Sequence, residues 1–162
     1  MITRKIAMVG HWCVGKTSLV RQYVSQQFSE SYLATLGVKI DKKQVECQGQ
    51  MVNMVLWDIA GAEDTFDIPM HYIKGAAGYL LVIDGTRPET LEAAKEIAAS
   101  IEKAVPGLPF SVAINKNDLE TQLTDDAIAA SGLSDSWIRT SAKTGEGVED
   151  LFLHIAGKLL DA

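Results

Sequence analysis

The sequence is poor in cysteine, has no long apolar run and carries no excess of positive charge. Only Cys13 and Cys47 are present, which excludes a disulfide framework and fits a reducing compartment. Its longest apolar stretches, such as GYLLVID from Gly78, are strand-length and far short of a bilayer span. Fifteen Lys and Arg stand against 21 Asp and Glu, a formal net charge of −6. That argues against nucleic acid as a partner, which needs clustered cations on one face. It leaves a nucleotide open, because a nest of backbone N–H groups and one lysine suffice for a triphosphate. The chain enters a strand at once (ITRKIAMVG), with no signal-peptide pattern. Residue 2 is Ile where N-myristoylation needs Gly, and the sequence ends LLDA without a cysteine to prenylate. The expectation is a cytoplasmic chain with no direct membrane anchor.

What is present suits a single domain spanning 1–162. A chain of this size buries roughly 70% of its unfolded surface and needs no metal staple. Strand and helix patterns alternate with short connections. Ile6 to Val9 reads as a buried strand followed by a Gly-rich turn and the helical KTSLVRQYV. Val38–Val45 and Met51–Asp58 read as strands joined by a tight turn at Gln48-Gly49-Gln50. Gly78–Asp84 has the continuous apolar character of a central parallel strand. Thr86 and Glu89 fit a capping box for a helix with Leu91, Ala94, Ala98 and Ile101 on one face. Phe110–Asn115 and Trp137–Thr140 read as strands, Thr124 as the cap of a short helix, and Val148, Leu151, Phe152 and Ile155 as the buried stripe of the last helix. Such alternation predicts an α/β fold, a mostly parallel sheet with helices on both faces. Ligands in such sheets bind at the carboxyl ends of the strands.

The chemistry-bearing motifs fall at those strand ends. Gly10-His11-Trp12-Cys13-Val14-Gly15-Lys16-Thr17 is a complete GxxxxGK[ST] between a strand and a helix. Its glycines let the backbone curl, so that N–H groups of Gly10, Cys13, Val14, Gly15, Lys16, Thr17 and Ser18 can cradle phosphates. Lys16 reaches the β- and γ-phosphates and the Thr17 hydroxyl ligates Mg²⁺, with the helix N-terminus adding favourable partial charge. His11 offers a polar contact in the same loop, and Cys13 reads as a small spacer rather than a redox sensor. Asp58-Ile59-Ala60-Gly61 places a carboxylate to hold Mg²⁺ through water and a Gly61 N–H to meet the γ-phosphate. Asn115-Lys116-Asn117-Asp118 supplies Asp118 as a double acceptor for guanine N1–H and its 2-amino group, a donor pair adenine lacks. Asn115 can donate to N7 and tie its loop to the phosphate loop, while the Lys116 stem covers the base. Ser141-Ala142-Lys143 supplies the Ala142 N–H for guanine O6. DxxG and SAK are weak alone; in this order behind the first motif they gain force.

These motifs resemble those of the Ras-like small GTPases, and WDIAGAE from Trp57 is closest in style to the Rab branch. The resemblance covers nearly the whole chain. It implies a six-stranded sheet with one antiparallel strand and about five helices. It implies GTP, GDP and Mg²⁺ as ligands, GTP hydrolysis, and a monomer. Switch I would run from 28 to 38 and switch II from 60 to 74, the surfaces read by effector, exchange factor and GTPase-activating protein. Phe28 would pack on the guanine and Tyr32 close over the phosphates. Thr35 would ligate Mg²⁺ and meet the γ-phosphate, making Lys16, Thr35 and Gly61 the residues nearest the chemistry. Recruitment to membranes is left to partners.

Two departures bear on hydrolysis rather than binding. Ala62 stands where the family carries its water-positioning glutamine, and Trp12 stands where it has a small residue beside the γ-phosphate. The expectation is a switch with slow intrinsic turnover. The alternative is a binding module with GTP locked in place. A P-loop kinase or ATPase is disfavoured because NKND and SAK specify guanine. His71 could reach the water in place of the glutamine, although a surface histidine is the plainer reading.

Overall fold

The computed structural model describes residues 1–11, 13–24, 31–33, 38–59 and 70–161, with the backbone alone at 31–33, 59 and 70. Its strands are β1 (Ile2–Gly10), β2 (Ser31–Leu33), β3 (Val38–Cys47), β4 (Gln50–Ile59), β5 (Gly78–Asp84), β6 (Phe110–Asn115) and β7 (Ile138–Arg139). The helices are α1 (Lys16–Val24), α2 (Met70–Ile73), α3 (Glu89–Ala104), α4 (Asp125–Ala130) and α5 (Val148–Asp161). One sheet has the order β2-β3-β4-β1-β5-β6-β7. The pairs β1–β4, β1–β5, β5–β6 and β6–β7 are parallel, while β3 runs against both of its neighbours. The expected six strands and five helices are present. The addition is the three-residue β2, which prolongs the antiparallel edge.

Side-chain alternation divides the core between the faces of this sheet. Ile6, Met8, Leu80 and Val82 point to one side, where α1 and α5 cover them with Leu19, Tyr23, Leu151, Phe152 and Ile155. Ala7, Val9, Leu81 and Ile83 point to the other, against Tyr72, Leu91, Ala94, Ile101 and Ile128. Burial on both faces explains why β5 is apolar without a period. The helices α1 and α5 meet through Tyr23 and Phe152, whose rings stack at 3.8 Å. Burying a ring the size of Phe152 contributes roughly 1.5–3 kcal/mol. Among the described residues, no helix is long and apolar enough to cross a membrane.

Local signals read from the sequence mostly hold. The β3–β4 hairpin turns on Gln48 and Gly49, with φ of 53° and 76°, the positive pair that matches strand twist. Gln50 already belongs to β4 and pairs with Cys47. The Thr124 side chain caps α4 by accepting from the Ala127 N–H. The capping box expected from Thr86 and Glu89 does not form. Pro88 occupies the cap position of α3 with no side-chain cap bond, because the Thr86 N–H and hydroxyl both donate to Asp84 Oδ1. A buried carboxylate two residues upstream outcompetes the helix end for those donors.

On the α5 side, Ser111 Oγ lies 2.7 Å from His154 Nδ1. Burial, helped by nearby Lys158, pushes the His154 imidazole below its ordinary 6.5. Below that ordinary value the unfolded chain binds the extra proton more readily than the folded chain. This contribution to stability is therefore complete above about pH 6.5 and is lost as pH falls. The thermal midpoint of wild type is expected to drop more steeply between about pH 7 and pH 5 than that of His154→Gln. Parallel curves would contradict the assignment.

Candidate nucleotide-binding site

Gly10 ends β1 opposite Val82 of β5, Asp58 lies one residue before the end of β4 opposite Met8, and Asp84 and Asn115 end β5 and β6 side by side. The candidate groups therefore gather along the carboxyl edge of the parallel strands. Gly10 has φ of 155° and Gly15 of 102°. A Cβ on Gly10 would strike the Val82 carbonyl oxygen, and one on Gly15 would strike Asn115 Nδ2. Gly15→Ala is thus expected to separate the two loops and abolish measurable nucleotide binding in an equilibrium titration, with the fold retained. Unchanged affinity would show that the contact is dispensable.

The Lys16 ammonium donates to the carbonyls of Gly10 and His11 at 3.1 Å each. Thr17 Oγ1 donates to Asp58 Oδ2 in a very short hydrogen bond. Asp58 is 2% exposed and its Oδ1 is buried without a hydrogen-bond partner among the described residues. Burial raises its carboxyl above the ordinary range, against the opposing Thr17 hydrogen bond and the Lys16 and Lys39 charges. An orphaned carboxylate oxygen beside a hydroxyl is a donor set that fits Mg²⁺ or a water bound to it. No group of three or more His, Cys, Asp or Glu that could hold a metal occurs among the described residues. A cation here would complete its shell with water and phosphate oxygens.

The base side is built from two loops bound to the phosphate loop. Asn115 Nδ2 donates to the Val14 carbonyl at 3.0 Å, and Asn115 Oδ1 accepts from Thr140 Oγ1 and the Ala142 N–H at 3.0 and 3.2 Å. Ser141 Oγ donates to Asp118 Oδ1 at 2.8 Å. Lys116, at φ 67°, donates to the Cys13 carbonyl at 2.9 Å. Asn117 Nδ2 reaches both oxygens of Glu146 at 3.1 and 3.2 Å. Together they bound a cavity of about 560 Å³ lined by Gly15, Asn115, Lys116, Asp118, Ala142 and Lys143, with Ser18, Arg21, Gln22 and Leu119. The volume is ample for a guanine and its ribose.

A family model described as the Ras family matches residues 5–161. The chain belongs to the Ras family. Three relatives are the Ras-related protein Rab-21 of mouse, rat and human, each 28% identical over 162 residues. The match covers 97% of this chain, 73% of the mouse and rat proteins and 72% of the human one. This Ras-family chain is Rab-like, and membership makes it a GTP-binding molecular switch. In general terms the family hydrolyses GTP, binds GTP or GDP with Mg²⁺, and works through effectors, exchange factors and GTPase-activating proteins.

Of the sequence-derived site, the structure brings together Gly10, Cys13, Val14, Gly15, Lys16, Thr17 and Asp58 on one side. It brings Asn115, Lys116, Asp118, Ser141, Ala142 and Lys143 together on the other. Trp12, Phe28, Thr35, Gly61 and Ala62 lie outside the described residues, as do most of switch I and switch II. Tyr32 is described only as backbone in β2. His71 lies on the short α2, exposed, its ring centroid 4.1 Å from that of Tyr72. Sequence reasoning missed Thr140, which holds Asn115, and Asp84, which holds Lys116 at 2.9 Å. The signal for Asp84 was available: like Asp58 and Asn115, it is a polar residue ending an apolar strand.

Proposed function

We propose that residues 1–162 form one G domain that binds GTP and GDP with Mg²⁺ and hydrolyses GTP slowly. The observation that carries this reading is the cavity between the phosphate loop and the two base-side loops, with Asp118 in its lining. The phosphates lie on the N–H groups of Gly10 and of 13–18, with Lys16 leaving its carbonyl partners for the β- and γ-phosphates. Thr17 and Thr35, with Asp58 through water, would hold Mg²⁺, which would neutralise charge on the phosphate oxygens. The base is read by Asp118, Asn115 and Ala142, sandwiched by Lys116 and Phe28, with Ser141 and Lys143 completing the loop. Gly61 and Thr35 contact the γ-phosphate and couple it to switches 28–38 and 60–74, where effectors and regulators bind. The domain acts as a cytoplasmic monomer that reaches membranes through partners.

Turnover is slow because Ala62 offers no group to orient the attacking water and Trp12 crowds the γ-phosphate. Those same residues favour the second reading, a module that keeps GTP without turning it over. Single-turnover hydrolysis of preloaded GTP, followed by chromatography of the bound nucleotide, separates the two. GDP accumulating over hours supports the slow switch. GTP that persists through days supports the locked module, and GDP within minutes overturns the roles given to Ala62 and Trp12.

A further inference from the structure

Asp84 ends β5 with 0% exposure, and none of the phosphate, metal or base contacts assigned above uses it. Both its oxygens are nonetheless engaged. Oδ1 accepts from the N–H and hydroxyl of Thr86 at 2.8 and 2.6 Å. Oδ2 accepts from Arg87 Nε at 3.0 Å and from Lys116 Nζ at 2.9 Å. The same Lys116 ammonium donates to the Cys13 carbonyl at 2.9 Å. Cys13 and Lys116 are two non-glycine residues at positive φ, 56° and 67°, a region that side chains occupy only when surrounding contacts hold them there. One ammonium therefore ties a strained point of the phosphate loop to a strained point of the base loop. A buried carboxylate, itself fixed by the turn that leads into α3, anchors it. Because Lys116 is gripped at its head, its apolar stem is the part left to line the base cavity.

We propose that Asp84 is a positioning residue for nucleotide retention: by clamping Lys116 against the Cys13 carbonyl, it locks the base loop and the phosphate loop in one geometry. This inference rests on the reading of Lys116 as the cover of the base. Burial alone would raise the Asp84 carboxyl, but the hydrogen bonds from Thr86, Lys116 and Arg87 outweigh it and hold the group at about 2. The Asp84 carboxylate is thus charged at every working pH. Asp84 is buried while the Lys116 side chain is 33% exposed, so loss of the carboxylate removes a charge-assisted hydrogen bond and should loosen Lys116.

The test is the dissociation rate of fluorescent GDP from full-length protein with Mg²⁺ present. Asp84→Asn should release GDP about 10- to 100-fold faster, the range for losing a charge-assisted hydrogen bond. Thr86→Val, at a half-exposed position, should fold in any case and release GDP a few-fold faster. Lys116→Met supplies the discriminating background. A residue acting through Lys116 adds nothing once Lys116 is gone, whereas a merely structural residue adds its full effect in both backgrounds. Vanishing of the Asp84→Asn and Thr86→Val effects in Lys116→Met supports the clamp. Unchanged release, or equal effects in both backgrounds, overturns it and leaves the nucleotide site standing. Failure of wild type to hold fluorescent GDP at all would instead overturn the functional reading on which the clamp rests.

Discussion

Asp118→Asn should weaken GDP binding by at least about 10³-fold and shift preference toward xanthosine diphosphate. Ser141 Oγ donates to Asp118 Oδ1 at 2.8 Å, so an asparagine there keeps its oxygen on the Ser141 side. The amide nitrogen then faces the substituent at C2 of the base. Guanine presents an amino group at that point, and donor meets donor. Xanthine presents a carbonyl, which the amide can satisfy. A site built to pair a specific polar group rejects the analogue that leaves its own groups unpaired, and this term exceeds what one neutral hydrogen bond contributes. Displacement of fluorescent GDP by GDP, by xanthosine diphosphate and by ADP reads the effect. Retention of guanine preference in the variant would remove Asp118 from the base contact.

The second large effect concerns turnover. Ala62→Gln combined with Trp12→Gly should raise single-turnover GTP hydrolysis by about 10²-fold, the lower range for a positioned group that handles the attacking water. Affinity for GDP should stay within a few-fold of wild type, because the proposed reading assigns neither side chain to the base or to the α- and β-phosphates. Ala62→Gln alone should give less if, as proposed, the Trp12 indole crowds the γ-phosphate. An unaltered rate in the double variant would mean that another group orients the water. His71, exposed on α2, would then be the first residue to replace.

Much of this was legible in the sequence because local chemistry and global fold agree. The phosphate loop needs glycine where φ is positive or a Cβ would collide, and Gly10 and Gly15 meet both conditions. Asp58, Asn115 and Asp118 announce themselves as polar residues at or just beyond the ends of apolar strands. What the sequence hid depends on long-range geometry. Glu89 and Thr86 form a capping box by spacing, yet the Asp84 carboxylate claims the threonine. Thr140 looks like an ordinary strand-end residue until its hydroxyl is found 3.0 Å from Asn115 Oδ1. The β2 strand is too short to carry a period of its own and is set by its pairing with β3. The link from Lys116 to Asp84 and Cys13 joins three segments far apart in the chain, which no local pattern encodes.

The most direct test of the guanine-specific site is equilibrium competition on nucleotide-stripped protein. Fluorescent GDP is bound with Mg²⁺ and then challenged with GDP or ADP. The geometry of Asp118, Asn115 and Ala142 predicts that GDP displaces the probe at stoichiometric concentration while ADP requires more than about 10³-fold excess. Equal displacement by the two nucleotides would contradict it, leaving a phosphate-binding loop without a guanine reader.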